Sequence, residues 1–150
     1  MNNPSKRMWR CGLCLERMLA TKKSCTSCRT RRGSGRTALK QRCDKLAREL
    51  CRDLAHGLCA RCGGPGTDWA HRMPRRHHSM RWDMTNCDWL CRKDHQWFGL
   101  HPYAFKDWLV KKMGSNELAD LEGRANAPWD KDYGKVLAYL KETRERLERP

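Results

Sequence analysis

The sequence predicts a small α+β protein assembled from metal-stapled modules, and three observations predict it. Ten cysteines occur in 150 residues, and six of them form Cys-x2-Cys pairs. A mean hydropathy of -0.94 with 33% charged residues leaves too little apolar surface for a large core. Short apolar runs bounded by glycine and basic loops alternate with stretches in which leucine recurs every three or four positions. A chain of this length forms one ordinary domain or two small modules, and a thin core calls for a staple.

The pairs are Cys11/Cys14, Cys25/Cys28 and Cys59/Cys62. Their spacing lets one tight turn aim two thiolates at a single tetrahedral zinc. The first ten residues, MNNPSKRMWR, hold no apolar signal-like run, and no stretch reaches membrane-spanning length. The expected setting is therefore cytoplasmic and reducing, with no membrane partner, where metal binding prevails over disulfides. About two structural zinc ions are expected.

Residues 9–30 read as a zinc ribbon, with Trp9, Leu13, Leu15 and Leu19 too few to fold without metal. Residues 29–36, Arg-Thr-Arg-Arg-Gly-Ser-Gly-Arg, read as a basic linker and close a first segment, 1–36. Over 37–57 the pattern is that of a basic amphipathic helix. Leu39, Cys43, Leu46, Ala47, Leu50 and Leu54 share one face, and Gly57 is the stop. Cys43 and Cys51 on that helix read as small core residues rather than ligands.

Residues 58–150 make the third segment. Gly63-Gly64-Pro65-Gly66 forces a turn after Cys62. A strand over 68–71, a basic loop over 72–83, a strand over 86–90 and a helix from about Cys91 carrying His95 follow. Beyond lie a helix from Pro102 to about Lys112, a short helical turn at Leu118 and Leu121, and a tail helix from Lys131 to about Glu148. Trp82, Trp89, Trp97, Phe98 and Trp108 read as packing for a small core.

The net charge of +15 is uneven. Residues 1–62 carry sixteen Lys/Arg against four Asp/Glu, whereas 63–150 carry sixteen against thirteen. A basic front half attracts a polyanion, with DNA as the expected partner.

His71, Asn86 and His95 stand at the spacing His-x14-Asn-x8-His. Hydrolysing a phosphodiester needs a base for water, a cation to neutralise the phosphorane, and help for the leaving oxygen. At the end of the first strand His71 is placed as general base. Asn86, at the start of the second, is placed to hydrogen-bond the intervening loop and steady the histidine ring. His95, on the first turn of the helix, is placed to bind a catalytic metal. Arg72, Arg75, Arg76 and Arg81 flank the base as expected clamps on the phosphates.

Residues 59–122 resemble the HNH endonuclease superfamily, whose ββα-metal motif has this His, Asn, His order and usually two Cys-x2-Cys knuckles. Ala70-His71-Arg72, Arg76, Arg81-Trp82-Asp83, Asn86, Leu90-Cys91, His95-Gln-Trp-Phe and Pro102…Phe105…Trp108 are more narrowly similar to phage NinG/Rap-like recombination endonucleases. A cysteine-rich N-terminal finger fits that layout too. The resemblance implies a zinc-stabilised ββα-metal module with flanking helices. It also implies metal-dependent DNA cleavage leaving 5′-phosphate and 3′-hydroxyl ends, with branched DNA as a candidate substrate and a bacterial host cytoplasm as the setting. A homodimer is compatible with it.

The chain departs from the family pattern at two places. Where relatives read Cys-x2-Cys-His, this chain reads Cys91-Arg-Lys-Asp94-His95, so the second zinc would take Cys59, Cys62, Cys91 and Asp94. Cys87 or a water is the competing fourth ligand. Where many relatives place a metal ligand just before the base, this chain has Ala70. Asn86, Asp83, His77 or His78 are then the candidates to assist His95 in holding Mg²⁺ or Mn²⁺. The alternative raised by Ala70 and Asp94 is a non-catalytic zinc-finger DNA-binding or recruitment protein whose HNH module has decayed.

Overall fold

The computed structural model describes the backbone of Met8–Arg10, Arg17–Leu19 and residues 26–34, and residues 35–149 with their side chains. Two compact units divide the chain, Met1–Gln41 and Arg42–Pro150. In the first, β1 (Met8–Arg10) pairs antiparallel with β2 (Arg17–Leu19), Trp9 opposite Met18. Cys11, Cys14 and Cys25, expected as ribbon ligands, lie outside the described residues, as does the side chain of Cys28.

Helix α1 runs from Thr26 to Leu54. The stretch 29–36 is therefore helical and is not the linker its glycines suggested. A glycine inside a helix costs only about 1 kcal/mol relative to alanine. Arginine, alanine, leucine and lysine around Gly33 and Gly35 are strong helix formers, and a helix already nucleated extends cheaply. From Arg42 onward the helix belongs to the second unit.

That unit is built on a two-stranded ribbon. β3 (Asp68–His71) pairs antiparallel with β4 (Cys87–Leu90), with Trp69 opposite Trp89 and His71 opposite Cys87. Directly paired residues share a face and neighbours alternate. On one face Trp69, Trp89 and Cys87 pack with Cys43, Ala47, Leu50 and Cys51 of α1 and with Leu140. Ala70 and Leu90, on the other, pack with Cys59 and Phe98. Covered on both sides, β4 is buried throughout, so its side chains do not alternate between core and solvent.

α2 (Arg92–Leu100) follows β4 directly, with Cys91 as its N-cap. Pro102 opens α3 (Pro102–Met113), where its missing N–H costs nothing. α4 (Ser115–Ala125) buries Leu118 and Leu121 against Leu109 and Met80 of the long loop. α5 (Tyr133–Glu148) returns to α1 through Leu140. Among the described residues, five helices and two small antiparallel sheets make the α+β fold, and no helix is long and apolar enough to cross a membrane.

Candidate functional site

Cys59, Cys62, Cys91 and Asp94 converge, their ligand atoms all within 4.8 Å of one another. Local chemistry brings them there. Gly63, at φ +73°, closes a tight turn in which its N–H donates to the Cys59 carbonyl at 2.9 Å and the Cys59 N–H donates to Gly64 at 2.7 Å. Cys91 caps α2, accepting from the Asp94 N–H at 3.4 Å, and so places Asp94 one helical turn away on the same side. Cys62 Sγ stands 3.9 Å from Cys91 Sγ, and Cys59 Sγ stands 3.2 Å from Asp94 Oδ2. Zinc–sulfur bonds of about 2.3 Å give a tetrahedron with edges of about 3.8 Å. The group could hold a metal ion, and this donor set is consistent with zinc. Cys87 is not part of it, because it lies in the core beside Cys51.

Arg61 completes that centre from outside. Its Nη1 donates to Asp94 Oδ1 at 2.9 Å, while its guanidinium lies over the Trp97 ring at 4.0 Å. Burial alone would raise the Asp94 pKa, but hydrogen bonds from Cys62, Cys59, Cys91 and Arg61 hold it below the usual carboxylate range.

An open cleft of about 940 Å³ lies beside the ribbon, and His71, His95, Asp68 and Trp69 line it. On its wall Lys45, Arg48, Arg52, Arg75 and Arg92 outnumber the carboxylates Asp44, Glu49 and Asp68, so the cleft is net basic. His71 leaves β3 on the face toward α1. Asp68 leaves it on the face toward α2, where its Oδ2 meets His95 Nδ1 at 2.8 Å. The two histidines share the cleft without a hydrogen bond between them.

Asp68 is the functional candidate that the sequence reading missed. It is only 8% exposed, and a carboxylate so deeply buried needs partners. Besides His95 it accepts from Thr67 Oγ1 at 3.0 Å and pairs with Arg92 at 3.2 Å. Burial would raise its pKa, but those three partners hold it below the ordinary carboxylate value. The helpers named for His95 are engaged elsewhere. Asn86 is fully buried in the loop, Asp83 caps the 3-10 turn Met84–Asn86 and pairs with Arg124, His77 Nδ1 meets the Ala125 carbonyl, and His78 stacks on Trp129. The available signal was a carboxylate opening an otherwise apolar strand three residues before the candidate base.

Around His71 the geometry is specific. Arg75 Nε lies 3.1 Å from Nδ1, and Nε2 lies 3.0 Å from the Arg81 carbonyl oxygen. A guanidinium only donates, so Nδ1 carries the lone pair and Nε2 donates its proton to Arg81. Burial, the largest cause, and the charges of Arg75 and Arg81 outweigh the Arg81 carbonyl and push the His71 pKa down to about 4.

Asn86 organises the loop that supplies that carbonyl. Its Oδ1 accepts from the Met73 N–H at 2.7 Å, and its Nδ2 donates to Met73 O at 3.2 Å and Met80 O at 3.0 Å. The start and the middle of the 72–85 loop are thus tied to one buried amide.

Of the four arginines expected as phosphate clamps, two are committed internally. Arg72 makes a bidentate pair with buried Asp88 at 2.8 and 2.9 Å, and Lys112 joins the same carboxylate. Arg81 makes a bidentate pair with Asp44 at 2.9 Å, and that aspartate also accepts from Trp82 Nε1. A bidentate arginine–carboxylate pair with little solvent is not given up readily. Arg75 is exposed but bonded to His71 and the Trp69 carbonyl, and Arg76 is exposed. Comparison of the chain with family models, with curated proteins and with solved structures found no match.

Proposed function

We propose that the chain is a metal-dependent endonuclease of the HNH type that hydrolyses DNA phosphodiester bonds. The observation that carries this reading is one basic-walled cleft holding His71, with a single lone pair on Nδ1, together with the Asp68–His95 pair. A neutral, oriented imidazole, a hard oxygen donor beside an imidazole, and cationic walls are what phosphodiester hydrolysis requires.

Asp68 and His95 fit a Mg²⁺ or Mn²⁺ ion, which takes one or two carboxylates and leaves its other positions to water and substrate phosphate. Such an ion would neutralise charge on the phosphorane and on the leaving oxygen. His71 Nδ1 takes a proton from water as the water oxygen bonds to phosphorus. The P–O3′ bond then breaks and the O3′ oxyanion takes a proton from solvent water, leaving a 5′-phosphate and a 3′-hydroxyl. The imidazolium proton passes to solvent, and the Arg81 carbonyl keeps the ring aligned throughout. The Cys59/Cys62/Cys91/Asp94 centre fixes the β4–α2 junction and with it the position of His95.

The test is cleavage of supercoiled plasmid and a four-way junction by the zinc-loaded chain with Mg²⁺ or Mn²⁺. Wild type should nick or cut, and His71→Ala should lose about a hundredfold or more, the usual contribution of a general base. Equal cleavage by the variant, or none by wild type with any divalent ion, overturns the assignment. The rival reading, a DNA-binding protein without turnover, is favoured by Ala70. That side chain is buried among Leu90, Cys59 and Phe98 and offers no ligand where many relatives have one. Salt-sensitive DNA binding without cleavage would select it.

A further inference from the structure

We propose that Arg75 is a substrate-operated cover on His71, closing its Nδ1 lone pair until a phosphodiester in the cleft draws the guanidinium away. The proposal deepens the nuclease reading and takes from it the identity of the anion. The cover itself follows from geometry.

His71 has one site at which it can accept a proton. Nε2 is committed as a donor to the Arg81 carbonyl, so any base chemistry runs through Nδ1. Arg75 Nε already donates to that lone pair at 3.1 Å. A second donor, Nη2, reaches the Trp69 carbonyl at 3.0 Å, and the guanidinium lies over the Trp69 ring at 5.0 Å. The same side chain is thus braced at three points across the face of the base. Water cannot hand its proton to an imidazole nitrogen that a permanent cation occupies. For turnover, Arg75 has to leave.

The cleft supplies a reason for it to leave. Arg75 lines it beside Arg48 and close to Arg81, and burial, with the charges of Arg81 and Arg48, outweighs the nearby Asp44 carboxylate and lowers its pKa. A guanidinium bonded only to a neutral nitrogen and a neutral carbonyl exchanges them favourably for a phosphate oxygen, because there both partners are charged and the hydrogen bond is also an ion pair. Arg75 is solvent-exposed, which leaves the long side chain room to swing. DNA entry would then do two things with one residue: grip the strand and uncover the base. Without nucleic acid the base is masked, which limits hydrolysis of small diesters.

The experiment uses the full zinc-loaded chain labelled with ¹⁵N-histidine, at fixed pH without added Mg²⁺, His71 being assigned by its absence in His71→Gln. Adding a short duplex should move the wild-type Nδ1 resonance toward that of an unbonded nitrogen. Arg75→Ala should start there and stay there. Duplex binding, read by fluorescence anisotropy, with an unmoved Nδ1 overturns the cover, as does an Arg75→Ala resonance identical to free wild type. If no duplex binds, the nuclease reading and the trigger fall together, and the Arg75→Ala resonance shows separately whether the bond to His71 exists. A kinetic arm with Mg²⁺ excludes a merely structural role. Arg75→Ala should hydrolyse bis(p-nitrophenyl) phosphate about fivefold faster, the loss of one hydrogen bond to the base, and DNA about tenfold slower, the loss of one charged phosphate contact. Parallel decreases on both substrates overturn the proposal.

Discussion

The carbonyl oxygen of Arg81 stands 3.0 Å from Nε2 of His71, and with Arg75 on the other nitrogen it fixes which tautomer the ring adopts. A ring so enclosed titrates far from its ordinary value of 6.5, near 4. The unfolded chain binds this proton below about 6.5 and the folded chain only below about 4. Stability therefore falls as pH drops through that window and is unaffected by this group above it. An imidazole ¹⁵N titration should put the His71 midpoint near 4. A midpoint between 6 and 7 would mean that the ring is solvated and free to rotate.

Asn86→Ala should destabilise the second unit by about 3 kcal/mol, because it strips the Met73 N–H and carbonyl of their buried partner and leaves the Met80 carbonyl with only the Asp83 N–H. Asn86→Asp is the sharper variant. It keeps the acceptor for Met73 N–H but loses both donated bonds and buries a charge, so it should be no better than alanine. Urea denaturation gives the cost, and amide exchange at Met73 gives its location. A loss under about 0.5 kcal/mol, typical of a surface change, would mean that the loop does not depend on this amide.

The Cys59/Cys62/Cys91/Asp94 centre predicts an ordering of zinc affinities. Asp94→Cys should bind zinc more tightly than wild type, and Asp94→Ala more weakly. Arg61→Met, which removes the partner of Asp94 Oδ1, should lose about tenfold, as outer-shell changes commonly do. Cys87→Ala should leave affinity unchanged, since that thiol sits in the core. Competition with a chromophoric chelator measures all four. A drop in Cys87→Ala with no change in Asp94→Ala would reassign the fourth ligand.

What could be read in the chain divides along a physical line. Features set by neighbours in sequence were legible: the Cys59–Cys62 turn, β3, the helix starts at Cys91 and Pro102, and the histidine–asparagine–histidine spacing. Features set by which charge finds which partner were not. Arg72 and Arg81 look like Arg75 and Arg76 in sequence, and only folding brings Asp88 and Asp44 to the first two. Asp68 stood out only as a carboxylate heading an apolar strand, and its pairing stayed hidden because its partner His95 comes from a different element. The extent of α1 was hidden by Gly33 and Gly35, whose breaking effect is weaker than the helix around them.

Asp68→Asn keeps the shape of the side chain while removing its charge and weakening its bond to His95. If Asp68 and His95 hold the catalytic ion, the Mg²⁺ concentration for half-maximal cleavage should rise about tenfold or more, since a carboxylate is a principal Mg²⁺ donor. DNA binding without divalent ion should stay the same or tighten, because a negative charge has left a basic cleft. An unchanged Mg²⁺ dependence would remove Asp68 from the metal site.

Arg72 and Arg76 should separate structure from binding. Arg72→Ala strands the buried Asp88 carboxylate with only Lys112 and should cost about 3–5 kcal/mol, the usual result of breaking a buried pair. Arg76 is exposed, so Arg76→Ala should cost under about 0.5 kcal/mol. On DNA the order reverses for the folded proteins. Loss of one phosphate contact at Arg76 lowers the slope of log affinity against log salt by about 0.9, whereas Arg72 contributes none. Equal salt slopes for Arg76→Ala and wild type would take Arg76 off the nucleic-acid surface. A lower slope for a folded Arg72 variant would mean that its pair with Asp88 opens when DNA arrives.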